Sequence, residues 1–338
     1  MVGSSEVKWY PWLTSHYREL IAQYRSERPH HALLLHALPG TGEPLLMEGI
    51  GHWLMCQRPN GDKTCGECHG CNLMKAGNHP DWHIMVPEKG KSTLGVEPIR
   101  QLTEVLYSHA QQGGAKAVWF PDIECLSEAA ANALLKTLEE PPQKTYFLLG
   151  CREPSSVLAT IRSRCAYYHL ACPDEEYSIR WLEHQSPGDR TAQRTALRLT
   201  GGAPIAAEQL LEMSAWSQRT ALCHAFEQTL SHPSWDLLSL LPELNHDNAT
   251  ERLHWLYTLL LDACKWAQGA GQFIANQDRA SLVERLAKRI PVSVLQILAQ
   301  DCLLCRHELD TVAGVNKELM LTERLCRWER ELSSHSVN

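Results

Sequence analysis

The chain has 338 residues, of which 44% are hydrophobic and 21% are charged, and its formal net charge is −7. This length exceeds what one ordinary hydrophobic core supports and predicts two or three domains. The composition is that of a folded, soluble protein rather than a disordered one. Because the net charge would repel a phosphate backbone, the chain is not a general nucleic-acid coat, and any DNA contact needs a local group of Lys and Arg.

No apolar run in the sequence approaches the roughly 20 residues needed to cross a bilayer, and the N-terminus lacks a hydrophobic signal core. We therefore expect a cytoplasmic protein. Thirteen cysteines without an export signal favour thiols that are kept reduced or bind a metal over a disulfide framework.

Short apolar runs alternate with helical segments through the first half of the chain, a pattern typical of a parallel sheet flanked by helices. Residues 127–140 are predicted to form a helix because Ser127 can cap its start, the leucines repeat on one face, and Pro141 stops it. The predicted strands are residues 32–37, 82–86, 116–120 and 146–150.

The second half of the chain is predicted to be helical, because strand patterns fade after Arg164. Gly201-Gly202 and His232-Pro233 should break helices, while residues 253–266 and 292–304 are rich enough in leucine to form buried ones. We predict an α/β domain over residues 1–167, a small helical domain over residues 168–213 and an all-helical domain over residues 214–338.

A glycine-containing loop follows the first predicted strand and precedes a helix, as a phosphate-binding loop requires. A working loop continues from its last glycine into Lys and Ser or Thr, which neutralise the β and γ phosphates and bind magnesium. Here Gly40 and Gly42 are followed by Glu43 and Pro44. The carboxylate would repel a phosphate by about 4 kcal/mol for each pair of unit charges at 4 Å. The loop therefore lies between a strand and a helix, as a phosphate loop does, but lacks the residues that bind phosphate and magnesium. So short a match is also common in ordinary turns.

The end of the third predicted strand provides a second test of nucleotide chemistry. An active phosphate-loop ATPase needs acids here to hold magnesium and to orient the attacking water. Pro121 replaces the first acid, and Asp122 is shorter than the Glu usual at the second position. Two separate defects in one site predict that the chain does not hydrolyse ATP.

Two motifs carry a resemblance to a known family. Residues 132–142 read Asn-Ala-Leu-Leu-Lys-Thr-Leu-Glu-Glu-Pro-Pro, and residues 163–165 read Ser-Arg-Cys. Together with Trp-Tyr-Pro-Trp at residues 9–12, the Glu43 loop and a cysteine module, they resemble the AAA+ clamp-loader family of bacterial DNA polymerase III, and in particular its delta-prime members.

The resemblance implies an AAA+ domain, a helical lid and a collar domain that joins a five-subunit ring with motor subunits of the gamma or tau type and a delta subunit. It implies no ATPase or polymerase activity of the chain's own. The complex as a whole would load the sliding clamp onto primer-template DNA. The family's Ser-Arg-Cys arginine reaches the ATP site of the neighbouring motor subunit, and that residue is Arg164 here.

The arginine of such a motif must be permanently charged and planar to stabilise charge on a γ-phosphate. The plain alternative for Arg164 is an ion pair on the surface. The two sensor positions of active family members also depart from the family pattern: Cys151 or Arg152 replaces a threonine, and residues 202–205 contain no cation.

Four cysteines are closely spaced at Cys56, Cys65, Cys68 and Cys71. Four thiolates suit a closed, tetrahedral, structural zinc site, with Cys56 at the end of the helix that follows the loop. Gly66 and Gly70 are expected to allow tight turns between the ligands. An iron–sulfur cluster and free thiols are the alternatives, and a ligand role for neighbouring His69 is disfavoured against solvent exposure.

Arg100 and Lys144 lie where the family directs basic side chains at the DNA backbone, although lone basic residues are often merely solvated. Two other functions remain open from the sequence: an atypical but active ATPase, and a zinc-bearing nucleic-acid module outside any clamp loader.

Overall fold

The computed structural model describes residues 9–112, 114–231, 235–312 and 314–334. It divides into two compact units, Met1–Cys172 and Pro173–Asn338. Residues 1–8 and the break predicted at His232-Pro233 lie outside the described residues.

The first unit alternates helices with strands, as the sequence predicts. Its elements are α1 Leu13–Tyr24, β1 Ala32–Ala37, α2 Glu43–Met55, α3 His69–Lys75, β2 Trp82–Ile84, α4 Val96–Tyr107, β3 Lys116–Phe120, a 3-10 turn Ile123–Cys125, α5 Glu128–Glu139, β4 Thr145–Cys151, α6 Ala159–Arg162 and β5 Ala166–Leu170.

The five strands form one parallel sheet in the order β2-β3-β4-β1-β5. In its centre, Leu34 lies opposite Leu149 on β4 and opposite Tyr167 on β5. Strands β1, β3 and β4 are almost wholly buried because helices cover both faces, which explains their continuous apolar runs. The α/β fold predicted for this part of the chain is confirmed.

Strand β5 was not predicted from the sequence. Its residues read Ala-Tyr-Tyr-His-Leu, and at this edge of the sheet Tyr167 and His169 are exposed while Leu170 is buried. An edge strand with polar and aromatic side chains lacks the apolar run that identifies a central strand.

Helix α5 begins and ends as the sequence predicts. The Ser127 side chain accepts a hydrogen bond from the Ala130 amide, and Leu134 and Leu138 are fully buried against the sheet. The helix ends at Glu139, two residues before Pro141-Pro142.

The second unit is helical throughout its described residues. Its elements are α7 Glu175–Gln185, α8 Arg190–Leu199, α9 Pro204–Leu210, α10 Met213–Ser231, a 3-10 turn Leu237–Leu240, α11 Leu241–Leu244, α12 Ala249–Ala267, two further 3-10 turns Gly271–Phe273 and Gln277–Arg279, α13 Ala280–Arg289, α14 Val292–Thr311 and α15 Lys317–Ser334.

Helices α12 and α14 form the centre of this unit, as their leucine content predicts, and Trp255 on α12 is 2% exposed. A buried polar pair lies beside them: both terminal nitrogens of Arg219 donate to the Asp278 carboxylate, at 2.8 and 2.9 Å. Gly201 and Gly202 follow α8 with positive φ angles, as the predicted helix break requires. Among the described residues, no helix combines the length and apolar character needed to span a membrane.

Candidate functional site: a phosphate loop with an acidic residue and a four-cysteine module

The loop between β1 and α2 is tightly held by its own hydrogen bonds. Gly40 and Gly42 have φ angles of 83° and 102°, which a side chain would strain. The hydroxyl of buried Thr41 donates to the Leu38 carbonyl at 2.8 Å, and the Trp12 indole donates to the Thr41 carbonyl at 2.8 Å. The loop therefore has a defined shape that is braced from the N-terminal Trp-Tyr-Pro-Trp segment.

The acidic residue of this loop uses an amide that would otherwise face a phosphate. The backbone N–H of Gly42 donates to the carboxylate of Glu43 at 3.0 Å. In a working loop, successive amides at the helix N-terminus cradle the anion. Pro44 stands in the first turn of α2, where its missing N–H costs the helix nothing but also provides no donor and no hydroxyl for magnesium. The protein's own carboxylate thus replaces a phosphate as the local anion.

A small cavity lies at the carboxyl ends of β1, β3 and β4. Its volume is about 180 Å³, below the roughly 300–1,000 Å³ of ordinary ligand sites. Its lining is mostly apolar, with Glu43, Asp122 and Arg152 as the charged members. The cavity is defined by residues Leu35, Ala37, Pro39, Glu43, Pro44, Met47, Trp119, Pro121, Asp122, Gly150, Cys151 and Arg152.

The carboxylate of Asp122, at the second acidic position of an active ATPase, is engaged by neighbouring groups. One oxygen of Asp122 accepts from the Glu124 amide at 3.0 Å, and the other lies 3.5 Å from the Arg152 guanidinium. Pro121 fills the preceding position, and its carbonyl would be 2.3 Å from a Cβ on Gly150. Asp122 therefore caps a turn and pairs with a cation, which leaves less of its carboxylate available to a metal or water.

The two positions that correspond to the sensors of active family members hold a thiol and an uncharged helix start. Cys151 ends β4, and burial together with the carboxylates of Glu124 and Asp122 raises its pKa to about 12. It is therefore a neutral thiol at physiological pH. In the second unit, Ala203 occupies the N-cap position of α9 without a capping side chain, and Pro204 begins the helix.

The four clustered cysteines meet at one point between the end of α2 and the start of α3. Cys56 follows the last residue of α2, as predicted, and Cys68 precedes α3 and caps it by accepting from the Cys71 amide. All four sulfurs lie within 4.8 Å of one another, with Cys65 3.6 Å from Cys56 and 3.9 Å from Cys71. The cysteines form a group positioned for metal binding.

The sulfur separations fit a single tetrahedral ion. Four sulfurs at about 2.3 Å from a central zinc are about 3.8 Å apart. Backbone N–H groups point at the sulfurs of Cys56, Cys65 and Cys68 at 3.3 to 3.4 Å, as expected around thiolates. Hydrogen bonds from the backbone N–H groups of Glu67 and Cys68 stabilise the Cys65 thiolate and lower the pKa of Cys65 to about 6. An iron–sulfur cluster places several irons between the cysteines and fits this compact group less well.

The two glycines of the module have different roles. Gly66 has a φ of 75° and makes the expected turn. Gly70 is instead within α3, where a Cβ would lie 2.3 Å from the Met55 carbonyl. Gly70 is thus required for the close approach of α3 to the end of α2. His69 is the first residue of α3, outside the group of four sulfurs.

Replacing Gly70 by Ala is expected to lower the stability of the first unit by about 1–3 kcal/mol, the usual cost of overpacking, because neither backbone can easily move. Denaturant unfolding followed by fluorescence would measure the change. Gly114→Ala is the matched control, since a Cβ at Gly114 would meet nothing within 4 Å. Equal stability of the two variants would contradict this account of Gly70.

Arg164 follows α6 and folds back against the end of α5. One terminal nitrogen pairs with the Glu139 carboxylate, and the other donates to the Thr160 carbonyl at 2.7 Å and to Ser163 Oγ at 3.4 Å. Cys165 packs against the core below, where burial raises its pKa to about 12. The Ser-Arg-Cys motif thus combines a partly buried cysteine, packed against the core, with a guanidinium that is held by hydrogen bonds. Its role toward a neighbouring subunit stays a prediction.

The two basic residues predicted to approach DNA lie in different segments of the first unit. Arg100 lies in α4, with its guanidinium 3.8 Å from Glu97. Lys144 comes directly before β4 and has a φ of 55°. The segment that contains Lys144 starts near the end of α4, because the Tyr107 hydroxyl donates to the Glu140 carbonyl. At about 1.5 Å per residue, Arg100 is roughly 10 Å along the helix from Tyr107.

Sequence reasoning missed two structural supports of this region. Trp12 was noted only as part of a motif, and its hydrogen bond to the phosphate loop has no sequence signal. Lys116 begins β3, but its ammonium is buried and donates to the last carbonyls of α4, including Leu106 at 2.6 Å. A charged residue at the start of an otherwise apolar strand is the signal that could have indicated such a cap.

A parallel sheet with a glycine loop between its first strand and a covering helix defines the phosphate-loop class of nucleotide-binding folds. Within this class, residues 12–174 match the family model described as DNA polymerase III, delta subunit. Residues 173–212 match DNA polymerase III subunit delta', AAA+ ATPase lid domain, and residues 213–330 match DNA polymerase III, delta subunit, C terminal.

Relatives match the chain over nearly its whole length. It is 57% identical over 333 residues to the DNA polymerase III subunit delta' of Yersinia pestis, covering 97% of each chain. It is 48% identical to the Escherichia coli (strain K12) subunit delta', covering 96% of this chain and 97% of that one. The chain belongs to the family of DNA polymerase III delta' subunits, which confirms the resemblance carried by its motifs.

A further relative has a different subunit name. The chain is 32% identical over 160 residues to the DNA polymerase III subunit tau/gamma of Haemophilus influenzae, covering 47% of this chain and 23% of that protein.

Proposed function

We propose that this chain is a non-hydrolysing stator subunit of a DNA polymerase III clamp loader, with no ATPase or polymerase activity of its own. The observation that carries this proposal is the hydrogen bond from the Gly42 amide to the Glu43 carboxylate in the phosphate loop. A fixed anion there repels triphosphate, and Pro44 removes the magnesium ligand. The defects at Pro121 and Asp122 support the same conclusion.

We propose that the chain acts on ATP only through a neighbour. Arg164 would enter the ATP site of an adjoining motor subunit of the gamma or tau type and stabilise charge developing on the γ-phosphate. The similarity to a tau/gamma subunit supports a ring of related subunits, with a delta subunit as a further partner. The ring would load the sliding clamp onto primer-template DNA, in the cytoplasm.

The remaining assignments are proposed on the same basis. The four-cysteine module would hold one structural Zn²⁺, with all four positions taken by thiolates and none left for water. Residues 168–213 would act as the lid and residues 214–338 as the collar. Arg100 and Lys144 would each contact the DNA backbone. Such contacts help to position the DNA but do not recognise its sequence.

The proposal predicts that the isolated chain neither binds nor hydrolyses Mg-ATP. Titration calorimetry should show no heat of binding at millimolar nucleotide, and the purified chain should release no phosphate above a buffer blank. A motor subunit purified in parallel is the positive control. Turnover by the isolated chain that disappears in Asp122→Ala would show instead that it is an atypical but active ATPase.

A further inference from the structure

The guanidinium of Arg164 is held in place before any partner is present. Its side chain is 29% exposed, and contacts to Glu139, Thr160 and Ser163 use both terminal nitrogens. Two of these contacts come from the turn that carries Arg164 itself. The contact with Glu139 comes from a different helix and is the one that fixes the direction of the side chain across the surface.

Glu139 occupies a position where a carboxylate is locally unfavourable. It is the last residue of α5, where the free carbonyls of the helix carry partial negative charge. Its side chain is 49% exposed, so no demand of the core selects an acid there. The Arg164 guanidinium provides the positive charge that this helix end favours. The pair thus joins the end of α5 to the turn that follows α6 through two partly exposed side chains.

We propose that Glu139 is a positioning residue for Arg164: it holds the guanidinium in a restricted orientation, so that the neighbouring ATP site receives an ordered donor. This inference rests on the proposed action of Arg164 in trans. An arginine has many rotamers, and fixing them only in the transition state would raise the barrier to hydrolysis. A carboxylate that orders the side chain beforehand removes part of this cost and leaves ATP binding unchanged.

The test is a double-mutant cycle in the reconstituted complex with its motor subunits, measured as steady-state ATP hydrolysis. Glu139→Ala should lower kcat by about tenfold with KM unchanged, the size expected when one long side chain loses its order. Glu139→Gln keeps an oxygen acceptor and should recover part of the loss. In the Arg164→Ala background, Glu139→Ala should have no further effect, since the residue to be positioned is gone.

Glu140→Ala is the matched control, because Glu140 is also an exposed carboxylate at the end of α5. It should leave kcat unchanged. Normal kcat in Glu139→Ala, a loss that persists in the Arg164→Ala background, or a change confined to KM would each overturn the positioning role. If Arg164→Ala itself hydrolyses ATP normally in the complex, the proposed action in trans fails instead, so the two failures are distinguishable.

Discussion

Replacing Arg164 by alanine is expected to lower the rate of ATP hydrolysis at the adjoining motor site by about 10³-fold or more, the range found for arginine fingers supplied to phosphoryl-transfer sites. The charge that spreads onto the γ-phosphate in the transition state would lose its planar donor, while ATP binding would change little. Single-turnover hydrolysis by the reconstituted complex would measure the effect. Arg164→Lys should recover little of the rate, because an ammonium lacks the two-pronged geometry of guanidinium.

Arg162→Ala is the matched control for this experiment. Arg162 is exposed two residues away and donates to the Pro154 carbonyl at 2.9 Å. Its loss should leave hydrolysis intact. If the Arg164→Ala complex hydrolysed ATP and loaded clamps at the normal rate, the role of Arg164 would be limited to its contacts with Glu139, Thr160 and Ser163.

Removing the metal is expected to unfold the cysteine module. Structural zinc contributes about 10–16 kcal/mol of apparent binding free energy in small domains, and here it would hold α3 to the end of α2. Cys68→Ser should remove about one equivalent of zinc per chain and expose the amides of α3 to hydrogen exchange. The cap that Cys68 provides for α3 would weaken as well. No catalytic step should be lost directly, because a closed site has no position for water.

Cys326→Ser is a suitable control, since Cys326 is a partly exposed free thiol of the second unit and is not one of the four clustered cysteines. It should keep full zinc content and full protection of α3. An unaltered exchange pattern in zinc-free Cys68→Ser would contradict the structural role, and an oxygen ligand detected by X-ray absorption would contradict the closed site.

Strong local patterns were enough to locate most of the first unit. The ranges predicted for β1 and β3 agree with the structure, and β4 extends one residue further at each end. Strand β2 ends at Ile84, two residues earlier than predicted, because an edge strand needs only a short pairing partner. Strand β5 was not predictable because two of its five residues are exposed, which interrupts the apolar run.

The cysteine module was also only partly predictable from the sequence. The spacing of the four cysteines was sufficient to predict that their sulfurs form one group, because residues so close in sequence are easily brought together by short turns. The role of Gly70 was not predictable from the sequence. Position 70 must lack a side chain because the Met55 carbonyl at the end of another helix lies too close for a Cβ.

The sequence by itself determined the residue types on which the proposals rest: Glu43 and Pro44 in the phosphate loop, four closely spaced cysteines, and the Ser163-Arg164-Cys165 motif. These conclusions depend on residue type and close spacing, which are local properties. Only the tertiary structure decided that Trp12 braces the phosphate loop and that Glu139 holds Arg164. The partners in each of those contacts are 29 and 25 residues apart, so packing and not local pattern brings them together.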